Sequence, residues 1–209
     1  MMPDMTDSRA VDDQRGVRRV VGVVAGLNLA GFAVEAVVAL LIGSVALVAD
    51  SVDFLEDAAV NLLIAVALGW PLARRALAGR AMAVIILVPA LAAAWQAVAK
   101  AGDPVPPDVT ALVLTALGAA AVNGTCALLL VRVRRHGGSI GRAAWLSARN
   151  DVGVNLAVVV MAGVTAWTRS GWPDIVLGAG IVLLNATAAL EVWRLAGRER
   201  LSALGPPAP

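Results

Sequence analysis

The sequence is poor in cysteine and in charged residues, and each shortage excludes a class of protein. The one cysteine, Cys126, lies inside an apolar run, so a single chain can form neither an internal disulfide framework nor a paired-cysteine zinc motif. Charged residues make up 15% of the chain and hydrophobic residues 59%, whereas a soluble domain is about 45–50% apolar. Soluble packing cannot bury so much apolar surface, which indicates an integral membrane protein.

The chain also has no recognisable secretory signal and no concentrated basic patch. Residues 1–17 are polar with mixed charge, so we interpret them as a flexible cytoplasmic tail. The net charge is only +2, and the arginines are spread over short loops rather than gathered on one segment. No nucleic-acid partner is therefore expected.

Six apolar runs follow this tail, separated by charged or Pro/Gly-containing breaks. A helix needs about 20 apolar residues to cross a hydrocarbon core, and long runs without strict alternation favour helices over barrel strands. We therefore predict an all-α membrane protein with a six-helix transmembrane domain in residues 18–195, a short cytoplasmic tail in residues 196–209 and no soluble C-terminal domain. The runs cover about residues 20–42, 45–70, 81–99, 109–131, 143–167 and 175–193.

Basic residues predict the orientation of the helices. If the amino terminus is cytoplasmic, all 17 lysines and arginines except Lys100 and Arg169 lie on the inner side. This is the bias described by the positive-inside rule. We expect both termini in the cytoplasm and a multi-pass location in the plasma membrane of a bacterial cell, in contact with lipid.

Four acidic residues lie inside the second run. A carboxylate at the centre of a bilayer costs about 2.5–3.5 kcal/mol, so these side chains should face protein, water or a cation. At about 100° per residue, Asp50, Asp53 and Asp57 share one helical face, Asn61 extends it by one turn, and Glu56 lies beside it. One face of this helix is thus predicted to be polar.

The fifth run contains a similar polar face. Ser147, Asp151 and Asn155 recur at intervals of four residues, and the string DVGVNL from Asp151 agrees with DAAVNL from Asp57 at four of six positions. The agreement favours two inverted three-helix halves, and chance similarity in an Ala/Val/Leu-rich chain is the alternative.

The predicted depths bring three carboxylates together. At about 1.5 Å per residue, Asp53, Asp57 and Asp151 lie near the membrane midplane. Like charges there repel one another unless a divalent cation neutralises them or protons occupy them. Metal and protons would then compete for one site, which is the physical basis of proton-coupled export.

Other polar residues in the runs are candidates for a gate or a proton relay. Glu35 lies in the first run, seven residues after Asn28 and on the same face. For such a carboxylate, the alternative is a structurally paired group satisfied by a neighbouring serine or asparagine. The candidate gate or relay residues are Asp50, Glu35, Asn61 and Asn155.

Two patterns together resemble the cation diffusion facilitator family. They are N-x6-E, formed by Asn28 and Glu35, and G-S-x-A-L-x-A-D-x-x-D-x-x-x-D over residues 43–57. The resemblance extends from about residue 18 to residue 193 and includes the turn W-P-D at residues 172–174. It implies the transmembrane domain of a transporter of divalent metal cations.

The resemblance also implies a ligand set. Asp53 and Asp57 match the ligand pair of the family's second helix, and Ser147 and Asp151 match its H-x-x-x-D pair on the fifth. Serine replaces the more usual histidine or aspartate, so an oxygen-only site suits Mn(II), Mg(II) or Fe(II) better than zinc. Zinc, cobalt, cadmium and manganese remain the metals to be tested. The soluble C-terminal domain and the histidine-rich loop of some relatives are not seen.

The sequence therefore predicts a transporter rather than an enzyme. It should export a divalent metal cation in exchange for protons, hold no tightly bound cofactor and, by resemblance, be able to form a homodimer. Three alternatives remain: a transport-incompetent partner or regulatory subunit, a helix-packing network held by interhelical hydrogen bonds, and proton conduction without metal.

Overall fold

The structure is a computed structural model that describes residues 5–67, 70–136 and 138–203. All secondary structure in these ranges is helical, which confirms the predicted all-α class. The six helices are α1 Met5–Ile42, α2 Val45–Ala67, α3 Leu72–Ala101, α4 Val109–His136, α5 Gly138–Thr168 and α6 Trp172–Ala203.

Two helices begin earlier than the apolar runs predict. Helix α1 begins at Met5, so residues 5–17, expected to be a flexible tail, are helical. Helix α3 begins at Leu72 rather than near residue 81. Arginine interrupts an apolar run but is a good helix former, so charge marks the edge of the apolar segment and not the end of the helix. The domain boundaries stay predictions, and residues 204–209 lie outside the described residues.

Within the described part of the chain, three helical segments are long and apolar enough to cross a membrane by length and composition: Gly16–Ile42, Val109–Val131 and Ala144–Thr168. Helix α2 is also long, at 23 residues, but contains the four acidic side chains. Large apolar side chains lie exposed on the outside of the bundle, among them Leu41, Leu128 and Val160. This surface is suited to lipid contact.

Helix α2 is the centre of the bundle. The most extensive helix contacts are those of α4 with α5, α1 with α2 and α3 with α6, and α2 also contacts α3, α5 and α6. A helix with four carboxylates is thus surrounded by protein, as the cost of exposing them to lipid requires.

Two apolar clusters divide the interior along the bundle. The first lies near the α1–α2 turn and includes Ala39, Leu47, Leu112 and Val158. The second lies towards the other end and includes Val21, Val24, Cys126, Leu130 and Ala148. Along α1, α2, α4 and α5, the buried Asn, Asp and Glu side chains lie between the two clusters. We call these residues the polar layer: Asn28, Glu35, Asp50, Asp57, Asn61, Asn123, Asp151 and Asn155.

The α1–α2 turn is fixed by a residue from α6. Asp174 is fully buried and accepts hydrogen bonds from the Ser44 hydroxyl at 2.6 Å and from the backbone N–H groups of Val45 and Ala46 at 2.9 and 3.1 Å. It also forms an ion pair with the Lys100 ammonium at 2.9 Å. The first N–H groups of a helix have no partner within the helix, so Asp174 caps α2 from a different helix. We call Ser44, Lys100 and Asp174 the α2 cap.

Two glycines permit this turn. Gly43 has a φ of +66°, a left-handed conformation that glycine adopts without strain. A Cβ atom on Gly178 would lie 2.6 Å from Val45 Cγ1 and 2.7 Å from the Val45 carbonyl carbon. The absence of a side chain at residue 178 therefore lets α6 approach the start of α2.

Candidate cation site

The acidic face of α2 lies in the polar layer. Asp50 and Asp57 are 1% and 4% exposed, and Asn61 is fully buried. Asp53 and Glu56 are half-buried. The predicted face is therefore turned into the bundle, and its charges are removed from lipid.

Helix α5 brings its own polar face towards α2. Asp151 and Asn155 are buried and Ser147 is half-buried. The Ser147 hydroxyl is hydrogen-bonded to the Asp57 carboxylate. Asp53 and Asp57 both interact electrostatically with Asp151. The polar faces of α2 and α5 that carry the four predicted ligands are therefore turned towards each other, and the ligand roles stay predictions.

The polar faces of α2 and α5 share a local geometry. Asn61 Nδ2 donates to the Asp57 carbonyl oxygen at 2.8 Å, and Asn155 Nδ2 donates to the Asp151 carbonyl oxygen at 2.8 Å. In both asparagines the amide oxygen is buried and has no hydrogen-bond partner. The sequence similarity between the two helices therefore has a structural counterpart.

The site contains oxygen atoms that the protein does not satisfy. Asp57 Oδ2, Asn61 Oδ1 and Asn155 Oδ1 are buried and accept no hydrogen bond within the described part of the chain. Leaving a buried polar atom unsatisfied costs about 1–3 kcal/mol. A cation would satisfy such atoms, and carboxylate, amide and hydroxyl oxygens suit hard divalent ions.

The donor atoms proposed for this site are oxygens of acidic, hydroxyl and amide side chains. Among the described residues, no three side chains of His, Cys, Asp or Glu are grouped as a metal centre. The oxygen donors in reach are two or three carboxylates supplemented by the Ser147 hydroxyl and the asparagine amides, and retained waters complete the shell of a hard ion in such sites.

The residues around the site have the same sign of charge. The charged groups that act on Asp151 are Asp53, Asp57, Asp50 and Glu56. The ion pair between Lys100 and Asp174 involves none of these groups. Lys100 therefore does not balance the negative charge of the polar layer.

Glu35 and Asp50 form a second pair of neighbouring carboxyl groups in the polar layer. Glu35 is 2% exposed, and its carboxyl group lies within hydrogen-bonding reach of that of Asp50. Asn28, two turns away on α1, is fully buried, and its amide oxygen accepts a weak hydrogen bond from Cys126 Sγ at 3.7 Å. Glu35 is therefore not paired with Asn28 but with an acidic residue.

Sequence reasoning missed three polar residues that shape this region. Asp174 was noticed only as part of the W-P-D turn, and Lys100 only as a basic residue in a loop. Asn185 donates to the Ala49 carbonyl oxygen at 3.2 Å, from 136 positions along the chain. A lone polar residue in an apolar run signals a buried contact but does not identify the helix that it contacts.

Comparison with known proteins supports the interpretation of the helices. The family model described as the cation efflux transmembrane domain matches residues 21–199. A search of curated proteins finds no match. The matched segment begins within α1 and ends within α6, so it includes the acidic face of α2 and the polar face of α5. The chain therefore belongs to the cation efflux family, whose members are multi-pass membrane transporters of cations and not enzymes.

Proposed function

We propose that this protein exports a divalent metal cation from the cytoplasm in exchange for protons, and that the ion binds between α2 and α5. The observation that supports the proposal most strongly is the burial of Asp57 and Asp151, two acidic side chains that act on each other electrostatically. Two carboxylates in a membrane interior require a counter-charge, and a divalent cation or protons can supply it.

Each ligand has a separate role in this proposal. Asp53, Asp57 and Asp151 supply negative charge, and Ser147 supplies a hydroxyl oxygen that also orients the Asp57 carboxylate. The second oxygen of Asp57 is buried, accepts no hydrogen bond from the described residues and would face the ion. Metal binding needs the carboxylates deprotonated, so protons entering from the other side of the membrane displace the metal.

The donor set determines the expected metal. An all-oxygen site favours Mn(II), Mg(II) or Fe(II) over zinc, cadmium and cobalt, which bind better where imidazole or thiolate is present. The free amide oxygens of Asn61 and Asn155 add neutral donors near the carboxylates. Manganese is therefore the first metal to test.

The proposal includes a membrane arrangement. All six helices cross the plasma membrane with both termini in the cytoplasm, as the distribution of basic residues indicates. The α1–α2 turn then faces the outside, and Glu35, Asp50, Asn61 and Asn155 lie along the ion and proton path as gate or relay residues. A homodimer is proposed on the family resemblance.

Transport into proteoliposomes tests the proposal. Purified protein would be reconstituted with an internal pH dye and exposed to Mn(II), Fe(II), Co(II), Zn(II), Cd(II) and Mg(II) in turn. At least one metal should drive proton movement, and Asp57→Asn and Asp151→Asn should each abolish it. Asp108→Asn is the control, because Asp108 is exposed and asparagine preserves its cap of Ala111 N–H. A wild-type protein without metal-driven proton movement would contradict the proposal.

A second candidate function is favoured by one observation: Ser147 lies where the family more often has a histidine or aspartate ligand. A transport-incompetent chain would act as a partner or regulatory membrane subunit and would bind no metal at this site. If wild type is inactive and Ser147→His gains zinc transport, the partner-subunit function replaces the first proposal. Proton conduction without metal would instead appear as proton uptake in chelator-treated vesicles that Asp57→Asn abolishes.

A further inference from the structure

Glu35 and Asp50 are buried carboxyl groups with no partner other than each other. They are 2% and 1% exposed. None of their four oxygen atoms accepts a hydrogen bond from an amide, hydroxyl or basic group among the described residues. Unsatisfied carboxylates at this depth are costly, so a ligand that supplies positive charge is expected between them.

The charged groups that the structure shows acting on this pair are acidic. Asp53 is the further charged group that acts on Glu35, and it is acidic. Lys100 is a described basic residue at this end of the bundle, and its ammonium group is already occupied by Asp174 and the Gly43 carbonyl oxygen. The electrostatic field at the pair is therefore negative, and it attracts a cation.

The pair lies on a line between the α2–α5 site and the α1–α2 turn. Asp50 is three residues before Asp53 on α2, which places it about 4.5 Å closer to the turn. Glu35 is seven residues before the end of α1 at Ile42, at a similar depth. An ion that leaves the α2–α5 site towards the turn therefore passes this pair.

We propose that Glu35 and Asp50 form a second divalent-cation site, at which the transported ion is held after it leaves the α2–α5 site and before it is released. The inference rests on the proposed function and adds a second position on the ion path. Two carboxylates provide a net charge of −2, which one divalent cation neutralises.

The two sites should differ in affinity. The α2–α5 site offers up to three carboxylates, a hydroxyl and two amide oxygens, whereas the second site offers two carboxylates. Fewer protein ligands give weaker binding, because the ion recovers less of its hydration energy. A weaker site on the side of release lets the ion leave without being trapped, and it fills only at higher metal concentration.

Manganese binding tests this proposal, with the free Mn(II) signal in electron paramagnetic resonance as the readout. Purified full-length protein in detergent should bind two ions per chain, one tighter than the other. Glu35→Gln and Asp50→Asn should each remove the weaker ion and retain the tighter one, which also shows that these variants fold. Asp57→Asn/Asp151→Asn should remove the tighter ion and retain the weaker one, and adding Glu35→Gln should abolish binding.

Each contrary result has a distinct meaning. The second site is overturned if wild type binds only one ion, or if the weaker ion persists in Glu35→Gln. The proposed function still stands in that case if metal-driven proton movement depends on Asp57. Absence of metal-driven transport in wild type overturns the proposed function, whatever the number of ions bound. Asp108→Asn is the matched control and should bind two ions, as wild type does.

Discussion

Removal of the Asp174 carboxylate should destabilise the whole bundle, because this one side chain joins three helices. In Asp174→Ala, the start of α2 loses an acceptor for the Ser44 hydroxyl and for two backbone N–H groups. Lys100 loses its ion-pair partner while it remains mostly buried, with a side chain 12% exposed. Removing one member of a buried ion pair costs about 3–5 kcal/mol, and loss of a helix N-cap alone costs about 1 kcal/mol.

The expected effect is large enough to measure by thermal unfolding in detergent. For a chain of about 200 residues, 1 kcal/mol corresponds to about 2–4 °C in Tm, so Asp174→Ala should lower Tm by about 6–20 °C. Asp108→Ala is the matched control, because Asp108 also caps a helix, accepting from Ala111 N–H at 2.7 Å, but is exposed. It should lower Tm by no more than about 4 °C.

A double-mutant cycle separates the ion pair from the cap. Lys100→Met should be destabilising on its own, because it leaves the buried Asp174 carboxylate without its cation. The decrease in Tm of the double variant Lys100→Met/Asp174→Ala should be smaller than the sum of the decreases in the two single variants, since each residue's effect on stability depends on the other. Equal Tm values for Asp174→Ala and Asp108→Ala, or strictly additive losses, would refute the role assigned to the α2 cap.

Two further predictions concern the packing of the helices. Gly178→Ala should lower Tm, because its Cβ would lie 2.6 Å from Val45 Cγ1 and overpacking costs about 1–3 kcal/mol. Gly180→Ala is the control. Nothing lies within 4 Å of a Cβ at residue 180, so this variant should leave Tm unchanged or raise it slightly. Cys126 is fully buried and should react with a maleimide only after unfolding; similar reaction rates before and after unfolding in dodecyl sulfate would show that the second apolar cluster is open.

Local patterns in the sequence were sufficient for the polar faces. The spacing of Asp50, Asp53 and Asp57 on α2 follows from the helical period, and the same rule applies to Asp151 and Asn155 on α5. The cost of charge in lipid then requires that these faces point into the bundle, and the structure shows that they do. Their proposed role as ligands is a separate question that metal binding and transport must answer.

Long-range contacts could not be derived in the same way. Ser44 and Asp174 are separated by 130 positions, and no periodicity links the end of α1 with the start of α6. The pairing of Glu35 with Asp50 could not be predicted for the same reason. The spacing of Glu35 indicates its face on α1 but not which α2 residue lies opposite it. The sequence does not predict the early start of α3 for a local reason: arginines interrupt the apolar run, although they favour helix.

The α2 cap and the polar layer both reflect one requirement: helix α2 must be held in the membrane by contacts with protein. Helix α2 has four carboxylates, so partition into lipid cannot hold it in the membrane as it can hold the apolar segment Val109–Val131 of α4. Its position must come from protein contacts: the cap at its beginning, the two apolar clusters on either side of the polar layer, and helices α1, α3, α5 and α6 around it. A cation between α2 and α5 would add a further bond between helices. We therefore expect Mn(II) to raise the Tm of wild type and of Asp174→Ala, but not that of Asp57→Asn/Asp151→Asn, at concentrations that fill only the tighter site.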